Sequence, residues 1–301
     1  MSERRRTDPI PLGGGDEPYS KGLMARALMR VGVSAVRAYE VARRIEQDLL
    51  SRKQDSIELD RVEELAEDVL GESEGVDAVR RLRRYSDLAE LDLPIIVLIG
   101  GATGTGKSTV ATEVAYRLGV TRVTSTDFVR QTLRAFFSPE FMPSIHHSSF
   151  EAGRALRSAE AEEVDPLLHG FLDQTRNVLV GVNAAIERSL AEGWSTVLEG
   201  VHLVPGMTAP ISDALVVQCV LAIQSEDAHA SHFWIRDIAS EGARALDKYL
   251  DHLGDIRYLQ DYIVERAERE SVPVIWNQDR EGATSAVLEL VLTAAERVQP
   301  V

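Results

Sequence analysis

Ile95-Ile96-Val97-Leu98-Ile99-Gly100-Gly101-Ala102-Thr103-Gly104-Thr105-Gly106-Lys107-Ser108 is the stretch from which the rest of the chain is read. Its first five residues form an unbroken apolar run, the pattern of a strand buried on both faces of a parallel sheet. The last eight match G-x-x-x-x-G-K-[ST], in which the glycines let the backbone curl until its N–H groups point inward at an anion. Val110, Val114, Ala115 and Leu118 then recur at helical spacing, so a helix N-terminus follows the loop and adds its dipole. Strand, glycine loop and helix in that order predict a phosphate-binding loop. Gly101, Ala102, Thr103, Gly104, Thr105, Gly106, Lys107, Ser108 and Thr109 are its expected nucleotide contacts. Lys107 would reach the β- and γ-phosphates of ATP, and the Ser108 hydroxyl would ligate Mg2+.

Similar apolar runs recur at Thr121–Ser125, Thr196–Leu198, Leu215–Ile223 and Val272–Trp276, with helical stretches between them. Alternation of this kind predicts an α/β fold, a parallel sheet flanked by helices. Upstream the texture differs. Residues 1–18 read as a flexible tail with Pro9, Pro11 and three consecutive glycines. Residues 19–91 read as a small helical domain. Ser20 and Ser34 are expected helix caps, with apolar faces at Leu23, Met24, Ala27 and Leu28, then at Tyr39, Ala42, Ile45 and Leu49. Two further helices carry Leu59, Val62, Leu65, Ala66 and Val69 up to Gly71, then Val76, Val79 and Leu82. The domain of the glycine loop is expected over residues 92–301.

The chain has 301 residues and a formal net charge of -15, which argues against general binding to nucleic acid or anionic membranes. An anionic metabolite would meet a repulsive global field, so its site must supply local cations. The single cysteine, Cys219, lies in an apolar run and reads as a core residue. Thr7-Asp8-Pro9 stands where a signal peptide needs an apolar stretch, and the protein is expected in the cytoplasm. A homo-oligomer stays open.

Around the loop, three sets of polar residues are candidates for the remaining chemistry. Asp127 begins a helix in which Arg130 and Arg134, three and seven residues on, share its face. A carboxylate there would take a hydroxyl proton while the guanidiniums grip an acceptor anion; a surface ion-pair face is the plainer reading. His232, Arg236, Arg244, Lys248 and Arg257 follow the fourth strand and form a candidate lid, with Arg236 the expected cation on the transferring phosphoryl group; a solvated charged helix is the alternative. His202 and Pro205, just past Glu199, would shape the acceptor side, and His146-His147 in a loop is a weaker candidate for the same side.

Leu198-Glu199-Gly200 resembles the acidic residue and glycine that close a strand beside the phosphate loop in nucleoside-monophosphate-type kinases. That resemblance implies a five-stranded sheet of order 2-3-1-4-5 and a Glu199 that holds a magnesium-bound water or orients the nucleophile. It also implies backbone contacts to adenine near Asn277, after Ile275-Trp276. More of the chain points further. Pro18-Tyr-Ser-Lys-Gly-Leu-Met-Ala-Arg26, the glycine loop, Leu198-Glu-Gly-Val-His-Leu-Val-Pro-Gly206 and Lys248-Tyr-Leu with Ile256-Arg-Tyr-Leu-Gln-Asp-Tyr262 together resemble the 2-phosphoglycerate kinase family over about residues 18–298. The resemblance implies ATP-dependent phosphorylation of 2-phosphoglycerate to 2,3-bisphosphoglycerate. It also implies an N-terminal ATP-cone, although the small β-hairpin usual in that module is not legible here. A kinase of another phosphorylated polyol or sugar, inositol phosphates included, and a non-catalytic ATP-binding regulator remain the alternatives.

Overall fold

The computed structural model describes Leu12 and residues 19–156, 165–239 and 246–298, with side chains of 235–239 excepted. The chain divides into two compact units. One takes in the chain up to Asp92, with Tyr116–Gly119 and the end of the last helix from Ala295; the other comprises Leu93–Ala115 and Val120–Ala294.

The described part of the first unit contains four helices, α1 (Lys21–Arg30), α2 (Ala35–Arg52), α3 (Leu59–Leu70) and α4 (Glu72–Glu90), and no β-strand. Ser20 caps α1 by accepting from the Leu23 N–H, whereas Ser34 precedes α2 without a side-chain cap bond. Met24, Leu28, Val41, Ile45, Val62, Leu65, Val79 and Leu82 are buried together. Leu23 and Tyr39, expected on the apolar faces, are exposed instead. Ala42, Ile45 and Leu49 are buried as expected on α2, and Ala38 and Val41 complete the stripe where Tyr39 does not.

The second unit holds the sheet: β1 (Ile95–Gly100), β2 (Val123–Ser125), β3 (Thr196–Glu199), β4 (Leu215–Ala222) and β5 (Val274–Trp276). Every pairing is parallel and the order is β2-β3-β1-β4-β5, as expected. All six residues of β1 are buried, which is what an unbroken apolar run at the sheet centre requires. Helices α5 (Lys107–Leu118), α6 (Thr126–Phe136), α7 (Pro166–Ala191), α8 (Glu226–Ala239), α9 (Leu246–Asp251), α10 (Leu253–Arg269) and α11 (Arg280–Val298) follow. Two 3-10 turns, Pro143–His146 and Ser149–Ala155, lie between α6 and α7. Cys219 is free and buried, and burial pushes its thiol up to about 12, so it behaves as a core residue. No helix among the described residues is long and apolar enough to cross a membrane.

Register decides what meets at the sheet's C-terminal edge. Ile99 pairs with Glu199, and Glu199 pairs in turn with Ser125, so the strand ends leading to the glycine loop, to Glu199 and to Asp127 lie level. The end of β4 is held from α10, chiefly by one side chain. Gln260, buried on α10, accepts from the Ile223 N–H at 2.9 Å and donates to the Ile223 carbonyl at 2.9 Å. Gln260→Leu would leave the Ile223 N–H unpaired and its carbonyl with only the long 3.5 Å contact from Arg257. It is expected to lower the stability of this unit by about 1–3 kcal/mol, read from the shift of its urea midpoint.

Candidate active site

The glycine loop joins β1 to α5 with Gly101, Gly104 and Gly106 at φ of 136°, 88° and 85°. The Lys107 ammonium lies inside the curl and donates to Ala102 O at 2.5 Å. Ser108, in the first turn of α5, donates its hydroxyl to Glu199 Oε1 at 3.0 Å. A buried carboxylate thus faces the loop's serine from the neighbouring strand. A curled loop of positive-φ glycines is a cradle for phosphate, and a hydroxyl paired with a carboxylate is an all-oxygen donor set suited to Mg2+ and its water.

Asp127 stands level with this pair through β2. Its N–H is capped by the Ser125 hydroxyl at 3.2 Å, and its side chain is 66% exposed. Desolvation pushes the carboxyl up, but the positive charges of Arg130 and Lys107 outweigh it, and the group is held below the usual carboxylate range. Asp127 is therefore an accessible, ionised carboxylate.

Arg130, expected to grip an acceptor anion, is buried and largely used internally. It donates to Asp127 Oδ1 at 3.3 Å and to the carbonyls of Ile145 and His147 at 3.0 and 2.9 Å. Arg134 does not join it: this side chain is exposed and donates to Gln131 Oε1 at 3.2 Å, one turn back on α6. The two arginines share a helical face in spacing, but the carbonyls of the 143–147 segment that face α6 are taken by Arg130 and not by Arg134.

His202 is also corrected. It is fully buried, so it cannot touch an acceptor. Its Nε2 meets Gln174 Oε1 at 3.0 Å, while the Gln174 amide donates to Ser144 O and His147 O. That orientation leaves Oε1 to accept, so Nε2 carries the proton and Nδ1 accepts from the Thr126 hydroxyl at 2.8 Å. The imidazole is neutral, because burial pushes its pKa to about 3. Gly200 permits this packing: at φ 149° a Cβ there would lie 1.8 Å from Thr126 Oγ1. His146 donates to Phe137 O at 2.9 Å and belongs to the same scaffold. Pro205 offers its carbonyl to Arg266.

Asn277, expected beside adenine, braces the loop. Its amide donates to Thr105 O at 2.9 Å, and its backbone N–H is taken by Ala222 O at 2.9 Å. In the candidate lid, His232 donates to Gly104 O at 3.1 Å and Arg257 to Gln224 O at 3.1 Å. Lys248 pairs with Glu151 and donates to Ser148 Oγ at 3.3 Å. Arg244 and the side chain of Arg236 lie outside the described residues.

Several residues of the site were not singled out in the sequence. Gln174, Thr126 and His229 are among them, as is Glu151, whose nearly buried carboxylate sits between Lys248 and Arg154. The adjoining Ser149 lies 3.5 Å from Thr103 Oγ1, which sets two cations around one carboxylate beside the glycine loop. The i,i+3 spacing of His229 and His232 on α8 is the sequence signal that points to His229.

No protein-family model matches the chain. It is 34% identical over 281 residues to the 2-phosphoglycerate kinase of Thermococcus kodakarensis, covering 93% of this chain and 95% of that protein. With the 2-phosphoglycerate kinase of Methanothermobacter thermautotrophicus it shares 38% identity over 265 residues, 87% of this chain and 86% of that one. Among solved structures, a shikimate kinase from Acinetobacter baumannii in complex with shikimate aligns at a TM-score of 0.41 and 14% identity, over 71% of this chain and 99% of that one.

The buried histidine has a consequence for stability. Free histidine titrates at 6.5, and His202 in the fold at about 3. Above pH 6.5 both states are neutral and the network contributes fully; as pH falls, the unfolded chain binds a proton that the folded chain does not, and stability declines. His229, lowered by burial to about 4, acts in the same direction. Between pH 7 and 5 the His202 contribution is expected to cost about 2 kcal/mol. Denaturation midpoints at the two pH values check this, and His202→Gln should flatten the dependence.

Proposed function

The chain belongs to the 2-phosphoglycerate kinase family, and from that premise we propose that it transfers the γ-phosphoryl group of ATP to the free hydroxyl of 2-phosphoglycerate, giving 2,3-bisphosphoglycerate and ADP. The observation that carries the reading is the level row at the sheet edge. There Ser108 meets Glu199 at 3.0 Å, and the exposed Asp127 leads off the strand paired with β3.

In this mechanism the loop amides and Lys107 hold the phosphates, and Lys107 offsets the charge that spreads over the transferring group. Ser108 and Glu199 would hold Mg2+ and its water, and the ion supplies charge neutralisation between the phosphates. The acceptor oxygen bonds to the γ-phosphorus as the bond to the β-phosphate oxygen breaks, and the hydroxyl proton passes to Asp127. A carboxylate with a lowered pKa suffices as base, because in a loose transition state the hydroxyl becomes acidic only late. Arg130 keeps Asp127 ionised and oriented. Lys248 and Arg154, flanking Glu151 beside Ser149, supply the local positive charge that an anionic acceptor needs against a net charge of -15.

The direct test incubates the protein with ATP, Mg2+ and a panel of acceptors, reading ADP release and the product mass. 2-Phosphoglycerate is expected to turn over well and glycerate poorly. A preference for an inositol or sugar phosphate would replace the acceptor, and no turnover with any acceptor would favour a regulator. Asp127→Asn is expected to lower kcat roughly 10²–10⁴-fold with little change in ATP affinity. Glu199→Gln should instead raise the Mg2+ concentration required for half-maximal rate, and exchanged phenotypes would exchange the two roles.

A further inference from the structure

The phosphate loop is held from outside, carbonyl by carbonyl. Ala102 O accepts from the Thr105 hydroxyl at 3.1 Å as well as from Lys107. Thr103 O accepts from His229 Nε2 at 2.8 Å, Gly104 O from His232 Nδ1 at 3.1 Å, and Thr105 O from Asn277 Nδ2 at 2.9 Å. Three successive peptide planes are therefore each pinned by a side chain from far along the sequence. A carbonyl oxygen only accepts, so in each histidine the nitrogen facing the loop carries the proton.

A planar trans peptide points its C=O and the next residue's N–H in opposite directions. Pinning the carbonyls of residues 103, 104 and 105 outward thus sets the N–H groups of Gly104, Thr105 and Gly106 toward the opposite side. Those are amides of the kind a glycine loop presents to phosphate. We infer that His229, His232 and Asn277 are positioning residues that hold the loop in its phosphate-binding shape before nucleotide arrives, a role that rests on the kinase reading above.

The way α8 is seated fits the role. His229 and His232 are one turn apart and present one helical face to the loop. Phe233, on the same face, lies against Gly104, where a Cβ would come within 2.5 Å of its ring. The His229 ring stacks on Phe233 at 5.4 Å, and Phe233 stacks on Tyr249 at 5.1 Å, so the imidazole that donates to Thr103 is fixed in plane. His229 Nδ1 is buried without a partner, the lone pair of a neutral ring. Of the segment that the sequence marks as a candidate lid, the His232 end bears on the back of the loop.

A pre-shaped loop spares the nucleotide the cost of ordering it, so loss of a brace should weaken polyphosphate binding specifically. The test is calorimetric binding of ATP with Mg2+ to the full chain, with adenosine measured by competition and the melting temperature recorded alongside. His229→Leu, His232→Leu and Asn277→Leu are each expected to raise the ATP Kd roughly 3- to 10-fold, the worth of one hydrogen bond, and to leave the adenosine Kd unchanged. His229→Gln and His232→Asn, which keep a donor near the same nitrogen position, should restore most of the loss. His232 is half-buried, so His232→Leu and its asparagine counterpart serve even if His229→Leu does not fold. Leucine variants that bind ATP as wild type does, that lose ATP and adenosine in equal proportion, or that the amide variants fail to rescue, would overturn the assignment. A wild-type chain that binds no ATP would instead remove the kinase reading itself.

Discussion

The parallel register of three strand ends is the constraint on which the rest of the site depends. Side chains alternate faces along a strand, so a slip of one residue in the β1–β3 pairing would turn Glu199 away from Ser108. The register is secured by burial on both faces of β1, where every residue from Ile95 to Gly100 is removed from solvent. Apolar packing in the sheet centre therefore places an acid, a hydroxyl and a phosphate loop without any of them contributing to that packing.

Beyond the edge, the surroundings of Asp127 are built from buried polar groups that satisfy one another. Thr126, His202, Gln174 and Arg130 form a continuous path from the start of α6 to the backbone of residues 144–147. Burying such groups is costly unless each has its partner, and a neutral histidine with one donor and one acceptor nitrogen suits a hydroxyl on one side and an amide oxygen on the other. The same network leaves Asp127 at the surface with Arg130 behind it. Charge is thus organised locally, against a global excess of acidic residues.

The glycine loop and the surroundings of Asp127 share this logic, since both use side chains distant in sequence to fix backbone carbonyls. Gln260 does so at Ile223, Arg130 at Ile145 and His147, and Asn277 at Thr105 across 172 positions. A backbone carbonyl held in this way carries its peptide plane with it, and the neighbouring N–H is aimed as a consequence.

Patterns that are local in the chain were legible without the fold. The unbroken run Ile95–Ile99, the glycine spacing with Lys107-Ser108 and the strand–helix alternation depend on periods of two and 3.6 residues and on steric rules for glycine. They were sufficient for the parallel sheet and the phosphate loop; Glu199 came from likeness to other kinases, and its meeting with Ser108 is a product of the fold. What a polar side chain does in the remaining site was decided only by tertiary structure. Arg130 and Arg134 are alike in sequence, yet one is buried against the 143–147 segment and the other is exposed on α6. His202 and Asn277 read as ligand contacts and turned out to be internal braces, because whether a donor meets solvent, a ligand or a carbonyl depends on which distant segment packs over it. That information lies in the packing of elements tens of residues apart, where a chain's local periodicity has nothing to say.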